Sequence, residues 1–479
     1  MKPVLMIGIF FTGLSPTYGL VNSLQPSSRK RVLRSSTSSP ALVTRVGRRL
    51  ETVTLIAGAS VGSGFLALPR ISSALGTMPT VLALTASWFY LLACSLALAE
   101  GTLRTQVARQ QNNENEMEGD EGASIFSVVS AAFGKNANWK TNLIVGAASS
   151  CFVLGMLATL AAQIAKARGL ANLLIPNFPS TPLIGILAYV MTFGVSSRFA
   201  EKLSALLGIT MLLSFFALLN SFTSFSAGVK ITTATFSWIT FAQNLGIFVQ
   251  LLCFSEVVAV ACRRLFGSRQ QLLSPETTDI KTNFSPKKVI ATLTAGGAIP
   301  LMMAYALVGV ATGLPIGTGD PVDNLVLTGT TFQSATVIGF AASAIATTTV
   351  ACLLAVSQFV SDILCSRYGY CSFRHRQIVR IASVALPLCV SYAHPDIFYK
   401  ALCFAGAFPA LFLWGILPTF LLATLRKSQQ VSFGSSVPRL LPGGAPLLRL
   451  VQCTGIALLS LNFVTYLGPT IQRLLSFLF

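Results

Sequence analysis

Between Val53 and Leu467 the sequence repeats one arrangement, an apolar run followed by a polar connection. A helix needs ~20 consecutive apolar residues to cross a bilayer. Eleven runs approach or exceed that length. They are Val53–Leu75, Thr80–Leu103, Thr141–Ala167, Thr181–Ser197, Leu203–Phe222, Ile239–Leu265, Val289–Ala311, Thr331–Leu364, Ile378–Tyr392, Ile397–Leu425 and Leu447–Leu467. The fourth and ninth are the shortest. Only 10% of the 479 residues are charged and 53% are hydrophobic, too little charge to coat a water-facing surface. The expected fold class is therefore all-α and polytopic, with the lipid bilayer as solvent and one transmembrane domain over residues 51–479.

The positive charges set the orientation. Lys and Arg exceed Asp and Glu enough to give a net charge of +19. Such a balance can mark a nucleic-acid binder. Here the bases sit in the connections between apolar runs and form no stripe with interleaved aromatics, so nucleic acid is not an expected partner. With the start of the first span inside, the inner connections carry 23 Lys and Arg and the outer ones 6. The asymmetry holds to the end of the chain, as the positive-inside rule requires of an odd span count.

Residues 1–50 read as a targeting leader. Residues 1–19 are signal-like, with Lys2 before the apolar run Val4–Leu14, then Ser15 and Pro16. Residues 20–50 hold Arg29, Lys30, Arg31, Arg34, Arg45, Arg48 and Arg49 with many Ser and Thr, and no acid before residue 51. That composition is transit-like. The two in series resemble the bipartite leaders of algae whose plastids lie behind extra membranes, and they point to the plastid inner envelope over other membranes. The acidic connection Thr105–Asn138 reads as a solvated loop.

No catalytic or metal site is apparent. The ten cysteines are scattered, and most fall inside apolar runs as small hydrophobes. The two histidines, His375 and His394, lie in different connections. No P-loop, GxSxG or HExxH occurs. The chain is expected to be no enzyme and to need no cofactor or metal.

Two spans carry the chemistry. The first contains Gly58-Ala59-Ser60-Val61-Gly62-Ser63-Gly64, poor helix formers in the middle of an apolar run. Unwound backbone within a membrane must line a cavity or be buried in protein. Freed N–H groups at the start of the following half-helix would hold an anion such as a carboxylate. Gly58 and Gly62 are also spaced as a helix-packing GxxxG pair, so the residues leave both readings open. The sixth span places Phe254-Ser255-Glu256 near its middle. An intramembrane carboxylate is costly, which makes Glu256 a functional candidate. Spans one and six stand at matching positions of two five-span halves, where the interrupted helices of inverted-repeat transporters meet. The candidate substrate-binding set is thus Gly58, Ala59, Ser60, Gly62, Ser63, Gly64, Phe254, Ser255 and Glu256. Glu256 leads the proton-coupling candidates. Glu100 and Asp362, near the inner ends of their spans, follow, although both can snorkel to the interface. Thr347, Thr348 and Thr349 offer hydroxyls, which threonines in membrane helices commonly spend on their own backbone.

These residues resemble the tryptophan/tyrosine permeases, the hydroxy and aromatic amino acid permease family. Gly58–Pro69 resembles that family's first-helix signature, and Phe254–Ala261 its interrupted sixth helix. Lys287 and Lys288 with Ile299-Pro300-Leu301-Met302, Asp320-Pro321, and Phe359-Val360-Ser361-Asp362 follow in order. So do Pro395-Asp396-Ile397-Phe398, Ala405-Gly406, Gly415-Ile416-Leu417-Pro418 and the plastid-type Leu441-Pro442-Gly443-Gly444. The resemblance covers about residues 51–470. It implies the amino acid–polyamine–organocation fold, a leucine-transporter-like inverted 5+5 repeat plus one extra C-terminal helix. It also implies proton-coupled transport of tyrosine or tryptophan. Where bacterial members often show a His-Asn pair in helix six, this chain has Ser255-Glu256. The rival expectations are carriage of another neutral amino acid, with sodium in place of H+, and a sensor or channel on the same fold.

The charge asymmetry makes a test. Single cysteines in the Lys281–Lys288 and Gly313–Gly319 connections should react with membrane-impermeant reagents from opposite sides. Reaction of both from one side would refute the topology.

Overall fold

The structure is a computed structural model describing residues 41–111, 125, 128–129, 132, 139–176, 180–195, 197–223, 237–266, 286–311, 320–368, 373–432 and 439–478. The described residues form helices and no strand. Residues 1–40 of the expected leader and most of the acidic loop lie outside them.

The first helix, α1 (Ala41–Ser60), crosses the expected leader boundary at residue 50 without interruption. It stops where the small residues cluster. Gly62 is extended, at φ −144° and ψ −169°, and a tight turn over Ser63–Ala67 leads into α2 (Leu68–Leu75). Pro69 sits in the first turn of α2, where its missing N–H costs nothing. The two halves are bent by 45°. Then come α3 (Thr77–Gln111), α4 (Trp139–Leu174), α5 (Ser180–Tyr189, continued as a π turn Val190–Gly194) and α6 (Ser197–Thr223). Helix α7 (Trp238–Leu251) is capped by the Ser237 hydroxyl, which accepts from the Thr240 N–H. It ends at Leu251, and a turn over Ser255–Val257 starts α8 (Val258–Phe266).

The rest comprises α9 (Pro286–Ala311), the short α10 (Pro321–Thr328), α11 (Thr331–Tyr368), α12 (Phe373–Ala393) and α13 (Ile397–Ala405). Helix α13 continues as a wide π-helical stretch, Gly406–Ile416, into α14 (Leu417–Ser432). The last is α15 (Gly444–Leu478).

Among the described residues, seven helices are long and apolar enough to cross a membrane, and the bent α1–α2 pair makes up to an eighth. The expected fourth and fifth spans appear as shorter apolar helical segments, Ser180–Gly194 and Leu206–Asn220. The ninth lies in α12, whose first turns hold Arg374, Arg376 and Arg380 and dilute its apolar length. Large apolar side chains, among them Leu82, Phe89, Ile186, Phe332 and Val464, face outward, as lipid contact allows.

Packing brings the broken helices to the centre. Helix α11 lies against α6 and α4, and α4 against α13. Helix α1 packs on α9, and α7 on α13 and its π-helical continuation. The last contact is backbone on backbone. A Cβ on Gly406 would fall on the Gly246 carbonyl oxygen, and one on Gly246 would strike the Cys403 carbonyl, so neither position has room for a side chain.

Glu100 ties α3, α14 and the approach to α15 together. It does not snorkel: its side chain is fully buried. Oε1 accepts from Arg104 Nε at 3.0 Å and Arg426 Nε at 2.9 Å, and Oε2 from an Arg426 terminal nitrogen at 2.7 Å. Oε2 also accepts from the Leu440 N–H at 3.0 Å. One carboxylate thus joins α3, α14 and the turn before α15. That turn needs its glycines: Gly443 and Gly444 hold φ +80° and +64°, the left-handed region open to residues without a Cβ.

Breaking a buried pair by removing one partner typically costs about 3–5 kcal/mol. Glu100→Gln should therefore lower the melting temperature in detergent sharply. An unchanged melting curve would show that the carboxylate is not structural.

Candidate functional site

The two breaks face each other. A Cβ on Gly64 would lie 3.7 Å from the Leu251 Cα. A cavity of about 220 Å³ opens beside them, between α1, α4, α7, α8, α11 and the α13 region. Gly58, Ala59, Ser60, Gly62, Ser63 and Gly64 all line it. The first N–H groups of a helical turn have no acceptor within it, and here they belong to lining residues. The Phe65 N–H is the first to return, to the Gly62 carbonyl at 3.2 Å. The Ser63 hydroxyl is buried without a hydrogen-bond partner.

The sixth-span residues divide. Glu256 opens into the cavity although it lies deep in the bundle, and it pairs with no described residue. It is the one carboxylate among the lining residues, and none of them is Lys or Arg. Of the three expected positions, Phe254 and Ser255 are not among the residues lining the cavity. Residues in a tight turn fan round its axis by about a third of a turn each, so three in a row cannot share one face. Phe254 is fully buried, and its ring edge lies where a Cβ on Gly297 would be. The Ser255 hydroxyl bonds that of Ser95 on α3 at 2.7 Å.

Glu100 is engaged in its own pairs and is absent from the cavity wall. Asp362 lies on α11, and its side chain is outside the described residues. Thr347 and Thr348 line the cavity while donating to their own helix, to Ser343 and Ala344 carbonyls. The unexpected wall is α4, which contributes Cys151, Gly155, Thr159 and Gln163. These small or polar residues recur every fourth position, one face of a helix, and that spacing is readable in the sequence. Phe152, Met156, Leu413 and Trp414 make the surroundings apolar and partly aromatic.

A polar cluster stands one helical turn beyond the lining residues Gln163 and Leu402. Lys166 on α4 donates to Asp320 at 2.7 Å and to Asp323 at 2.8 Å. Tyr399 on α13 donates to the same Asp320 oxygen at 2.7 Å, and the Arg70 guanidinium stacks 4.3 Å above the Tyr399 ring. Partial burial raises the Asp323 carboxyl above its ordinary range, and Lys166 works against that shift.

A small-molecule cavity between two broken helices, with free N–H groups on one side and a lone carboxylate on the other, fits a zwitterion. The tryptophan/tyrosine permease family model matches residues 47–273 and 282–462. The chain belongs to that family. Membership makes it a multi-pass membrane transporter of amino acids. No curated protein sequence matches the chain.

Gly62 offers a test of the site. A Cβ there would sit 2.8 Å from Thr348 Oγ1, which is itself held to the Ala344 carbonyl at 2.8 Å. Gly62→Ala should weaken substrate binding by about tenfold, and adding Thr348→Ala should recover much of it, as coupled neighbours do. Additive losses in a binding titration would place the two residues in separate environments.

Proposed function

We propose that this family member is a secondary active transporter that carries tyrosine or tryptophan in symport with protons. The observation that carries the reading is Glu256, a carboxylate without a described partner, facing a cavity otherwise free of charge. A substrate ammonium would meet Glu256, assisted by the negative C-terminal end of α7 that ends at Leu251. The substrate carboxylate would meet the N–H groups at Gly62–Gly64 and the Ser63 hydroxyl. The apolar and aromatic lining side chains, Phe152, Met156 and Trp414 among them, suit an aromatic substrate. Aromatic faces stack or meet edge-on with other rings and with methionine sulfur.

The same carboxylate serves coupling. A carboxylate facing an ammonium is held ionised, and one left empty in an apolar setting favours its proton. Occupancy by substrate and by a proton are thereby linked at one group. The signal-like and basic segments of residues 1–50 support delivery to a plastid envelope.

Glu256→Gln keeps size and hydrogen-bonding capacity but cannot titrate. In liposomes it should retain exchange of labelled tyrosine or tryptophan while losing accumulation driven by an imposed pH gradient. Accumulation by Glu256→Gln at the wild-type level would remove Glu256 as the coupling group. Stimulation of wild-type uptake by a sodium gradient alone would favour sodium over H+. Flux without counterflow would favour a channel or sensor.

A further inference from the structure

Gln163 is a polar side chain in the cavity wall that the reading above leaves without a task. It is 1% exposed, and its Oε1 is buried with no hydrogen-bond partner. The amide as a whole makes no hydrogen bond to a described residue. A buried amide left unsatisfied is costly, so such a residue is expected to meet its partner in another state of the protein.

Its level in the cavity follows from the register of two antiparallel helices. Phe152 on α4 stacks against Phe359 on α11 at 4.7 Å between ring centroids. One turn on, Met156 clusters with Cys352, Leu353 and Val356. At 1.5 Å per residue along each helix, Gln163 comes level with Thr347 and Thr348. Thr348 is the residue beside Gly62. The amide therefore stands at the height of the first break, on the α4 wall.

The charged ends of a bound amino acid already have suited partners there, the N–H groups at Gly62–Gly64 and the Glu256 carboxylate. A neutral amide suits a neutral group that both donates and accepts, or only donates. We infer that Gln163 is the specificity-determining residue that hydrogen-bonds the polar edge of the substrate's ring, a phenol hydroxyl or an indole N–H. The inference rests on the aromatic substrate class proposed above. It separates tyrosine and tryptophan from phenylalanine, which has the ring without the donor. A site built around such a bond rejects the analogue lacking it, because the buried amide is then left unpaired.

The test uses the full chain in liposomes, with labelled tyrosine exchanged against unlabelled tyrosine, tryptophan and phenylalanine. Wild type should prefer tyrosine to phenylalanine by at least about tenfold. Gln163→Leu should collapse that ratio toward one by losing tyrosine affinity while phenylalanine holds or gains. Gln163→Glu keeps an acceptor and should keep the preference. Gln163→Leu removes an unpaired buried acceptor, so its melting temperature should stay level or rise. A wild-type ratio in Gln163→Leu, equal losses for all three substrates, or a lowered melting temperature would each overturn the assignment and leave the aromatic reading standing. Failure of wild type to exchange any aromatic amino acid would defeat that reading, and this one with it.

Discussion

The structure depends on one rule of the hydrocarbon solvent: a backbone N–H or C=O without a partner cannot face lipid. The chain breaks its helices twice within apolar spans, after Ser60 and after Leu251. Both breaks must then be enclosed by other helices, and α4, α11 and the α13 region surround them. The same enclosure that hides the freed groups from lipid leaves them facing a cavity. Structural necessity and the proposed substrate recognition thus fall on the same few residues. Around this centre, Glu100 gathers two arginines and a backbone turn at the edge of the bundle. The Glu100 carboxylate is neutralised there, whereas that of Glu256 in the cavity has no described cation beside it. Two carboxylates in one apolar bundle differ in role because only one has cations within reach.

The first break was legible because glycines and serines replace helix formers over seven residues, Gly58 to Gly64. The second carried no such mark. Leu251-Leu252-Cys253-Phe254 contains neither Gly nor Pro, and only the cost of Glu256 in an apolar run betrayed the place. The sequence could not say which of three adjacent residues would face inward, since that depends on the phase of a tight turn. Of the three, Glu256 lines the cavity and Phe254 and Ser255 do not. The partners of Glu100 were equally hidden, because Arg426 lies 326 positions away. Gln163 escaped notice because one Gln on a long apolar helix has no phase until its neighbours are known. Only with α11 in place do Cys151, Gly155, Thr159 and Gln163 become one face of a cavity. The shorter helices, α5 and α12, are where length and hydropathy discriminate least.

The bare contact between Gly246 and Gly406 has a mechanical consequence. Where side chains separate two helices, the helices can slide by exchanging rotamers. Here no side chain lies between the backbones, so there is nothing to re-seat. Helix α7 and the start of the π-helical stretch behave as a single strut. Any rearrangement that tilts one carries the other. The wall holding Ala405 and Pro409 and the half-span ending at Leu251 would travel as one body. The turn from Leu252 to Phe254 is where such a body would end, with Glu256 just beyond it.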